Sequence, residues 1–223
     1  MASRVDHMEA TADSHAAARA LLADPPRLHD WGRGWEVGGL THRIGERLIA
    51  EIARHDAPRV IETGAGASTL LFCTLEPQAV TSIAPDAALR DRMLAAASER
   101  EISTERLDFI CDRSELALPK LAEAGERFDV ALIDGSHNWP AVFVDFCYLN
   151  LMMPVGGAML VDDVQLYSVA QLYNLLRKQE EYEYVGLDDK MATFRKVIDH
   201  PWLPEWRAQP YIEENTVVDP PPS

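Results

Sequence analysis

Two short clusters hold most of the side chains in this sequence that can move protons or bind cations. Asp134-Gly-Ser-His137-Asn-Trp139 places a carboxylate and an imidazole three residues apart, and Asp162-Asp163 sets two carboxylates side by side. Each cluster directly follows a short apolar run. A neutral imidazole with a pKa of roughly 6.5 is matched to taking a proton from a hydroxyl near neutral pH. Carboxylate oxygens are hard ligands that suit Mg²⁺, so Asp134, Asp162 and Asp163 are a candidate metal set if the fold brings them together. A third cluster, Glu62-Thr-Gly64-Ala-Gly66-Ala-Ser68-Thr69, has two glycines one residue apart. Such glycines let the backbone turn tightly and approach a ligand, while the next helix offers its N-terminal amides. The third glycine of a dinucleotide fingerprint is missing, since Thr69 stands there, and the chain has no Gly-Lys-Ser/Thr of a phosphate-binding loop. Glu62, two residues before the first glycine, suits a cationic amino group on a ligand.

The elements that must position these clusters alternate along the chain. Strands are expected at Arg59–Ile61, Ala79–Ile83, Leu107–Cys111, Phe128–Ile133 and Ala158–Val161, separated by helices at Ser68–Leu75, Asp86–Arg100, Ser114–Ala124 and Ala141–Met152. Ser168 is expected to cap a further helix to about Glu180, and Tyr182–Leu187 with Met191–Val197 reads as a hairpin around Asp188-Asp189. This alternation implies an α/β fold: a doubly wound, mostly parallel, seven-stranded Rossmann-like sheet closed by a C-terminal antiparallel hairpin. Ligands of such sheets bind beyond the carboxyl ends of the strands, which is where all three clusters fall.

The pattern divides the chain into three regions. Residues 1–57 are expected to form an N-terminal arm and helices, a lid or a dimer contact, with 1–38 read as an appendage; residues 58–198 form the domain; residues 199–223 form a tail holding six of the fourteen prolines, expected extended, surface-bound or frayed. In the arm, an Ala-rich helix stops before Asp24-Pro25-Pro26, Thr41 is the N-cap of a second helix, and Trp31-Gly-Arg-Gly-Trp35 is flexible backbone carrying two aromatics. Trp31 and Trp35 either pack the arm onto the domain or wall a substrate pocket.

Composition sets outer bounds. The 223 residues are 47% apolar and 26% charged, enough for a sizeable core. With 21 Lys and Arg against 36 Asp and Glu, the formal net charge is -15, a field that disfavours nucleic acid and anionic membranes as partners. No apolar run is long enough to span a bilayer, and the polar first residues are unlike a secretory leader. Cys73, Cys111 and Cys147, without ligand spacing, are expected as buried, reduced thiols of a cytoplasmic protein. His7, His15, His29, His42, His55 and His200 lack ligand spacing and are expected at the surface.

The acid-x-Gly-x-Gly of Glu62, Gly64 and Gly66, taken with the strand and helix pattern over about residues 58–197, resembles the class I S-adenosylmethionine-dependent methyltransferases. The continuation Ala67-Ser68-Thr69 looks like the branch containing macrocin-type O-methyltransferases, near the catechol type. The resemblance implies S-adenosyl-L-methionine as cofactor, with Glu62 facing its methionine amino group and Gly64, Gly66 and Ser68 lining it. It expects a ribose-binding acid at the end of the second strand, where this chain has Ser82-Ile-Ala84-Pro-Asp86; Asp86 either substitutes or simply caps the next helix. Ser114 falls in the region that flanks adenine, and is equally a helix cap. Asp134, Asp162 and Asp163 fall where catechol-type enzymes hold Mg²⁺. His137 falls where those enzymes carry a lysine base and macrocin-type relatives a histidine.

These expectations combine into O-methylation of a small hydroxylated molecule, with His137 and Asp134 as catalytic residues, and with Trp31, Trp35, Trp139 and Tyr167 near the acceptor. A homodimer is compatible with the aromatic-rich ends. The alternatives are a nicotinamide-dependent oxidoreductase on a similar sheet, and a cofactor-binding partner protein without turnover.

Overall fold

Short runs of Val, Ile, Leu and Ala that are apolar at every position make strands buried on both faces, and such strands require helices above and below. A computed structural model, which describes residues 4–200 and 203–217, shows this arrangement. Five strands run parallel: β3 (Arg59–Thr63), β4 (Ala79–Ile83), β5 (Leu107–Ile110), β6 (Val130–Ile133) and β7 (Ala158–Val161). The hairpin of β8 (Tyr182–Asp188) and β9 (Met191–Lys196) completes a seven-stranded sheet in the order β5-β4-β3-β6-β7-β9-β8. Strand β9 pairs antiparallel with β7, leaving β8 at the edge.

Alternate side chains of each strand serve two separate cores. Val60, Leu132 and Leu160 face one helical layer, with α1 (Arg4–Ala23), α2 (His42–Ile52), α3 (Ala67–Thr74) and α4 (Ala87–Glu99). Ile61, Ile133 and Val161 face the other, with α5 (Ser114–Glu123), α6 (Ala141–Met152) and α7 (Tyr167–Leu176). The reversal of direction between β3 and β6 opens the crevice at their carboxyl ends.

Several details differ from the sequence reading. The arm is no appendage: Ala18, Leu21, Leu22 and Leu28 are buried in the same core as the sheet. The stretch expected as flexible forms a small hairpin, β1 (His29–Asp30) with β2 (Trp35–Glu36), whose turn uses Gly32 at φ 78° and Gly34 at φ 103°. Helix α7 begins at Tyr167, and Ser168 does not cap it; its hydroxyl donates instead to the His137 carbonyl. Where described, the tail is surface-bound rather than extended. A 3₁₀ turn at Trp206–Ala208 and α8 (Pro210–Asn215) pack back, with Tyr211 Oη donating to Gln171 Oε1 at 2.7 Å. The rest of that expectation, residues 201–202 and 218–223, lies outside the described residues. Only Cys73 is buried; Cys111 and Cys147 are exposed thiols. Among the described residues no helix is long and apolar enough to cross a membrane.

The closing hairpin is held by Phe194, fully buried and in ring contact with Tyr173 and Tyr184. Phe194→Ala leaves a cavity beneath β9 and should cost about 3–5 kcal/mol, read as a lowered urea midpoint.

Candidate active site

Two loops at the crevice are forced together. Gly64, directly after β3, has φ 96°, and a Cβ there would stand 2.3 Å from the Asp134 carbonyl oxygen at the end of β6. Only a residue without a side chain allows that approach. Behind the loop, Glu62 is 1% exposed and accepts hydrogen bonds from Ser68 Oγ at 2.7 Å, Ser82 Oγ at 2.6 Å and the Thr69 hydroxyl. Thr69 Oγ1 also accepts from Gly66 N–H at 3.0 Å. One carboxylate thus ties the ends of β3 and β4 to the start of α3. Its burial pushes the carboxyl up to about 7, against the three hydroxyl donors.

The two acidic clusters converge beside this loop. Asp134 follows β6, Asp162 and Asp163 follow β7, and β7 neighbours β6. His137 Nε2 lies 3.7 Å from Asp134 Oδ1 and 3.6 Å from Asp163 Oδ2. Both are ion-pair distances rather than hydrogen bonds, and Nε2 is a buried nitrogen with no hydrogen-bond partner in the structure. Contact with Asp134 raises the imidazole's pKa above its ordinary value, against burial, with Asp163 and Asp162 adding to the rise.

Asp162 turns elsewhere. Its Oδ2 accepts from Lys190 Nζ at 2.8 Å, and the same ammonium donates to Asp163 Oδ1 at 2.9 Å. Burial raises the Asp162 carboxyl, with the neighbouring Asp134 adding and Lys190 opposing. At Asp163 burial also works upward, but the hydrogen bonds from Lys190 and Gln165 outweigh it and the net shift is down. The ligand atoms that come within 4.8 Å of one another belong to Asp134, His137 and Asp163. The structure therefore brings His137 rather than Asp162 into reach of the other two acids.

A cavity of about 910 Å³ opens over these groups. Gly64, Asp134, His137, Asp163 and Lys190 line one end, and Ala84, Asp86, Arg113 and Ser114 the other. Asp86 stands at the second strand's exit and caps α4, its Oδ1 accepting from Ala88 and Leu89 N–H at 2.9 and 3.0 Å. The cap reading of Asp86 holds, and the same residue lines the cavity. Ser82 is buried and spent on Glu62, and Glu62 itself lies behind the loop rather than in the cavity wall. Ser114 lines the cavity as the first residue of α5, whose cap is Arg113. Trp31 is in the wall, whereas Trp35 packs under the Arg92 guanidinium at 5.1 Å; Trp139 and Tyr167 are 68% and 84% exposed, outside the lining.

Two residues escaped the sequence reading. Lys190 sits in a hairpin turn, where a lysine is ordinary by type. His29 was expected at the surface, yet it is half-buried, stacks on Trp31 at 5.1 Å and lines the cavity. A Cβ at Gly66 would meet its Nε2 at 2.8 Å, so the arm lies directly on the glycine loop. Burial lowers the His29 pKa, with Asp134 opposing, which favours a neutral ring. The signal available in the sequence was its place beside the two-glycine turn.

Residues 61–164 match a family described as a methyltransferase domain. No curated protein sequence matches the chain. Among solved structures, a Klebsiella pneumoniae protein assigned as an O-methyltransferase is 16% identical, with 89% of this chain and 92% of that one covered at a TM-score of 0.63. The O-methyltransferase TomG of Streptomyces achromogenes, involved in tomaymycin synthesis and solved with S-adenosylmethionine, is 16% identical, with 85% and 90% covered at 0.59. The mycinamycin-pathway methyltransferase MycE, solved with Mg, S-adenosylhomocysteine and mycinamycin VI, is 15% identical, with 73% and 51% covered at 0.51. These likenesses establish a shared fold.

Gly64→Ala should be far more damaging than Gly125→Ala. Both residues have positive φ, but a Cβ at Gly125 meets nothing within 4 Å. The backbone term alone is about 1–2 kcal/mol, and any excess in the thermal or urea stability of Gly64→Ala measures the clash with the Asp134 carbonyl. A second test concerns Glu62. With its folded pKa raised to about 7, the native state keeps a proton that the unfolded chain releases near 4.5. Stability from this group is then full at low pH and is lost as pH rises through about 7, by up to about 3 kcal/mol. Urea unfolding at about pH 5 and about pH 8 should show a shallower decline for Glu62→Gln than for wild type; equal slopes would rule Glu62 out as the source.

Proposed function

The chain carries a methyltransferase domain on the class I S-adenosylmethionine-dependent fold, and from that premise we propose that it transfers the methyl group to a hydroxyl of a small molecule. The observation that carries the oxygen acceptor is the partnerless His137 Nε2 in the cavity wall, held between two carboxylates. Such a nitrogen is available to take a proton.

The cavity suits the cofactor. Gly64 and small residues such as Ala65 and Ala84 line its wall and leave room for a ligand. Bound S-adenosylmethionine supplies an electrophilic methyl on a sulfonium. The carboxylates of Asp134 and Asp163 make this end of the cavity favourable for that positive charge. Asp86, and the Arg113 and Ser114 end, are the groups proposed for the ribose and adenine. Glu62 acts through the loop it anchors, rather than through direct contact. Trp31 and His29 line the cavity on the side of the arm.

S-adenosylmethionine held beside Gly64, Asp86 and Ser114 would supply the methyl group to the acceptor oxygen and keep the carbon–sulfur electron pair on its own sulfur. The hydroxyl proton passes to His137 Nε2, and the imidazolium is stabilised by Asp134 and Asp163. The chain's contribution is alignment of the acceptor behind the methyl group, together with this proton path. If a divalent ion displaced Lys190 from Asp163, it would be held by Asp134, His137 and Asp163, whose ligand atoms lie within 4.8 Å of one another, and it would orient acceptor oxygens and lower the hydroxyl's pKa. Nε2 cannot both bind such an ion and take the proton, so the two roles are alternatives. MycE was solved with Mg and mycinamycin VI, and TomG is involved in tomaymycin synthesis; a hydroxylated acceptor of that kind is the corresponding proposal here.

Calorimetric titration with S-adenosylhomocysteine should show saturable binding, and a screen of hydroxylated acceptors should then show turnover. His137→Gln should bind the cofactor as wild type does while turnover falls by roughly 10²–10⁴-fold. Absence of binding would sink the methyltransferase reading, and unchanged turnover in His137→Gln would remove the base.

A further inference from the structure

Lys190 is fixed more firmly than an ordinary surface lysine. Its side chain is 25% exposed, and its ammonium donates to both members of the Asp162-Asp163 pair, at 2.8 and 2.9 Å. Its own carbonyl accepts from Val164 N–H at 3.0 Å, so backbone and side chain both bind the loop after β7. From the arm, Gly39 comes so close that a Cβ there would stand 2.3 Å from Nζ. The charge is thus contacted by the loop after β7 and approached by the arm. Exposed pairs contribute little, but a half-buried ammonium shared by two carboxylates is an arrangement the fold has to build.

Asp163 is oriented as a result. Its Oδ1 accepts from Lys190 and from Gln165 Nε2, at 2.9 and 2.6 Å, which leaves Oδ2 to face His137 Nε2 at 3.6 Å. The backbone of Asp163 holds φ at 55°, a conformation that Asp tolerates better than most residues.

We infer that Lys190 is a resident counter-cation for the Asp162-Asp163 pair, a positioning residue that holds Asp163 against His137 and excludes a divalent ion from these carboxylates. The clause about His137 rests on the proposed methyl transfer; the exclusion of metal does not. A metal ion taking Asp163 must compete with an ammonium already bonded to it, and displacing that ammonium strands it beneath Gly39. While Lys190 stays in place, Nε2 of His137 remains free for the proton.

The test is titration of the full-length chain with MnCl₂ and with MgCl₂, without cofactor, in wild type, Lys190→Met and Lys190→Arg. Lys190→Met should gain metal affinity by about 10–100-fold, the range over which groups around a metal site usually act, while Lys190→Arg stays like wild type. Affinity unchanged between wild type and Lys190→Met, whether tight or absent, would overturn the proposal. If Lys190→Met does not fold, the double variant Asp162→Asn/Lys190→Met decides. Folding recovered by removing one carboxylate is the expected result, and no recovery would mark Lys190 as a packing element instead. In wild type, methyl transfer should survive chelation, and its loss would also overturn the proposal. Because metal titration needs no cofactor, its failure is separable from failure of S-adenosylhomocysteine to bind, which bears on the methyltransferase reading alone.

Discussion

Three carboxylates at one end of a buried sheet repel one another and lose hydration, and much of the architecture around Asp134, Asp162 and Asp163 answers that cost. A lysine is brought to two of them from a hairpin late in the chain, and an imidazole stands between the third and its neighbour. The glycine loop supplies backbone rather than side chains at the point of closest approach. None of these devices removes the negative potential entirely. The remainder faces a cavity, where a positively charged ligand centre would meet it.

The strand-helix alternation was legible because strands covered on both faces must be apolar throughout, and these are. The loops after β3, β6 and β7 were legible for a related reason: in a parallel sheet, the segments leaving the strands all fall on one edge. Side-chain direction was not. Asp162 and Asp163 are adjacent, yet one reaches Lys190 alone and the other reaches both Lys190 and His137. Sequence adjacency says nothing about which oxygen faces which partner. Likewise Glu62 was expected toward the ligand, and its position behind the loop is explained by three hydroxyls, one of them on the neighbouring strand at Ser82. The tail's prolines suggested extension, but Pro210 opens α8, a place where its missing N–H costs nothing.

The arm illustrates a different limit. His29 and Trp31 belong to a two-residue hairpin whose regularity depends on the glycines at 32 and 34, and short glycine-rich turns carry no hydrophobic period to read. Their destination was set by Arg92, whose guanidinium donates to the Leu28 carbonyl at 3.0 Å and covers Trp35. A single arginine on α4 therefore fastens the segment that lines the cavity on the side of the arm.

Strand β9 lies between β7 and β8, so the edge strand is made before the strand that connects it to the sheet. Strand β8 has no partner in the sheet until β9 follows it, so both strands of the hairpin must be made before either edge is complete. A chain emerging from the ribosome would complete its five parallel strands with the aspartates after β7 already in place, and the compensating ammonium still unmade. Such an intermediate holds uncompensated like charges at its open edge, which weakens it and leaves that edge available for pairing. Docking of the last hairpin then finishes the sheet and balances the charge in one event, so the order of synthesis couples assembly of the fold to assembly of the site.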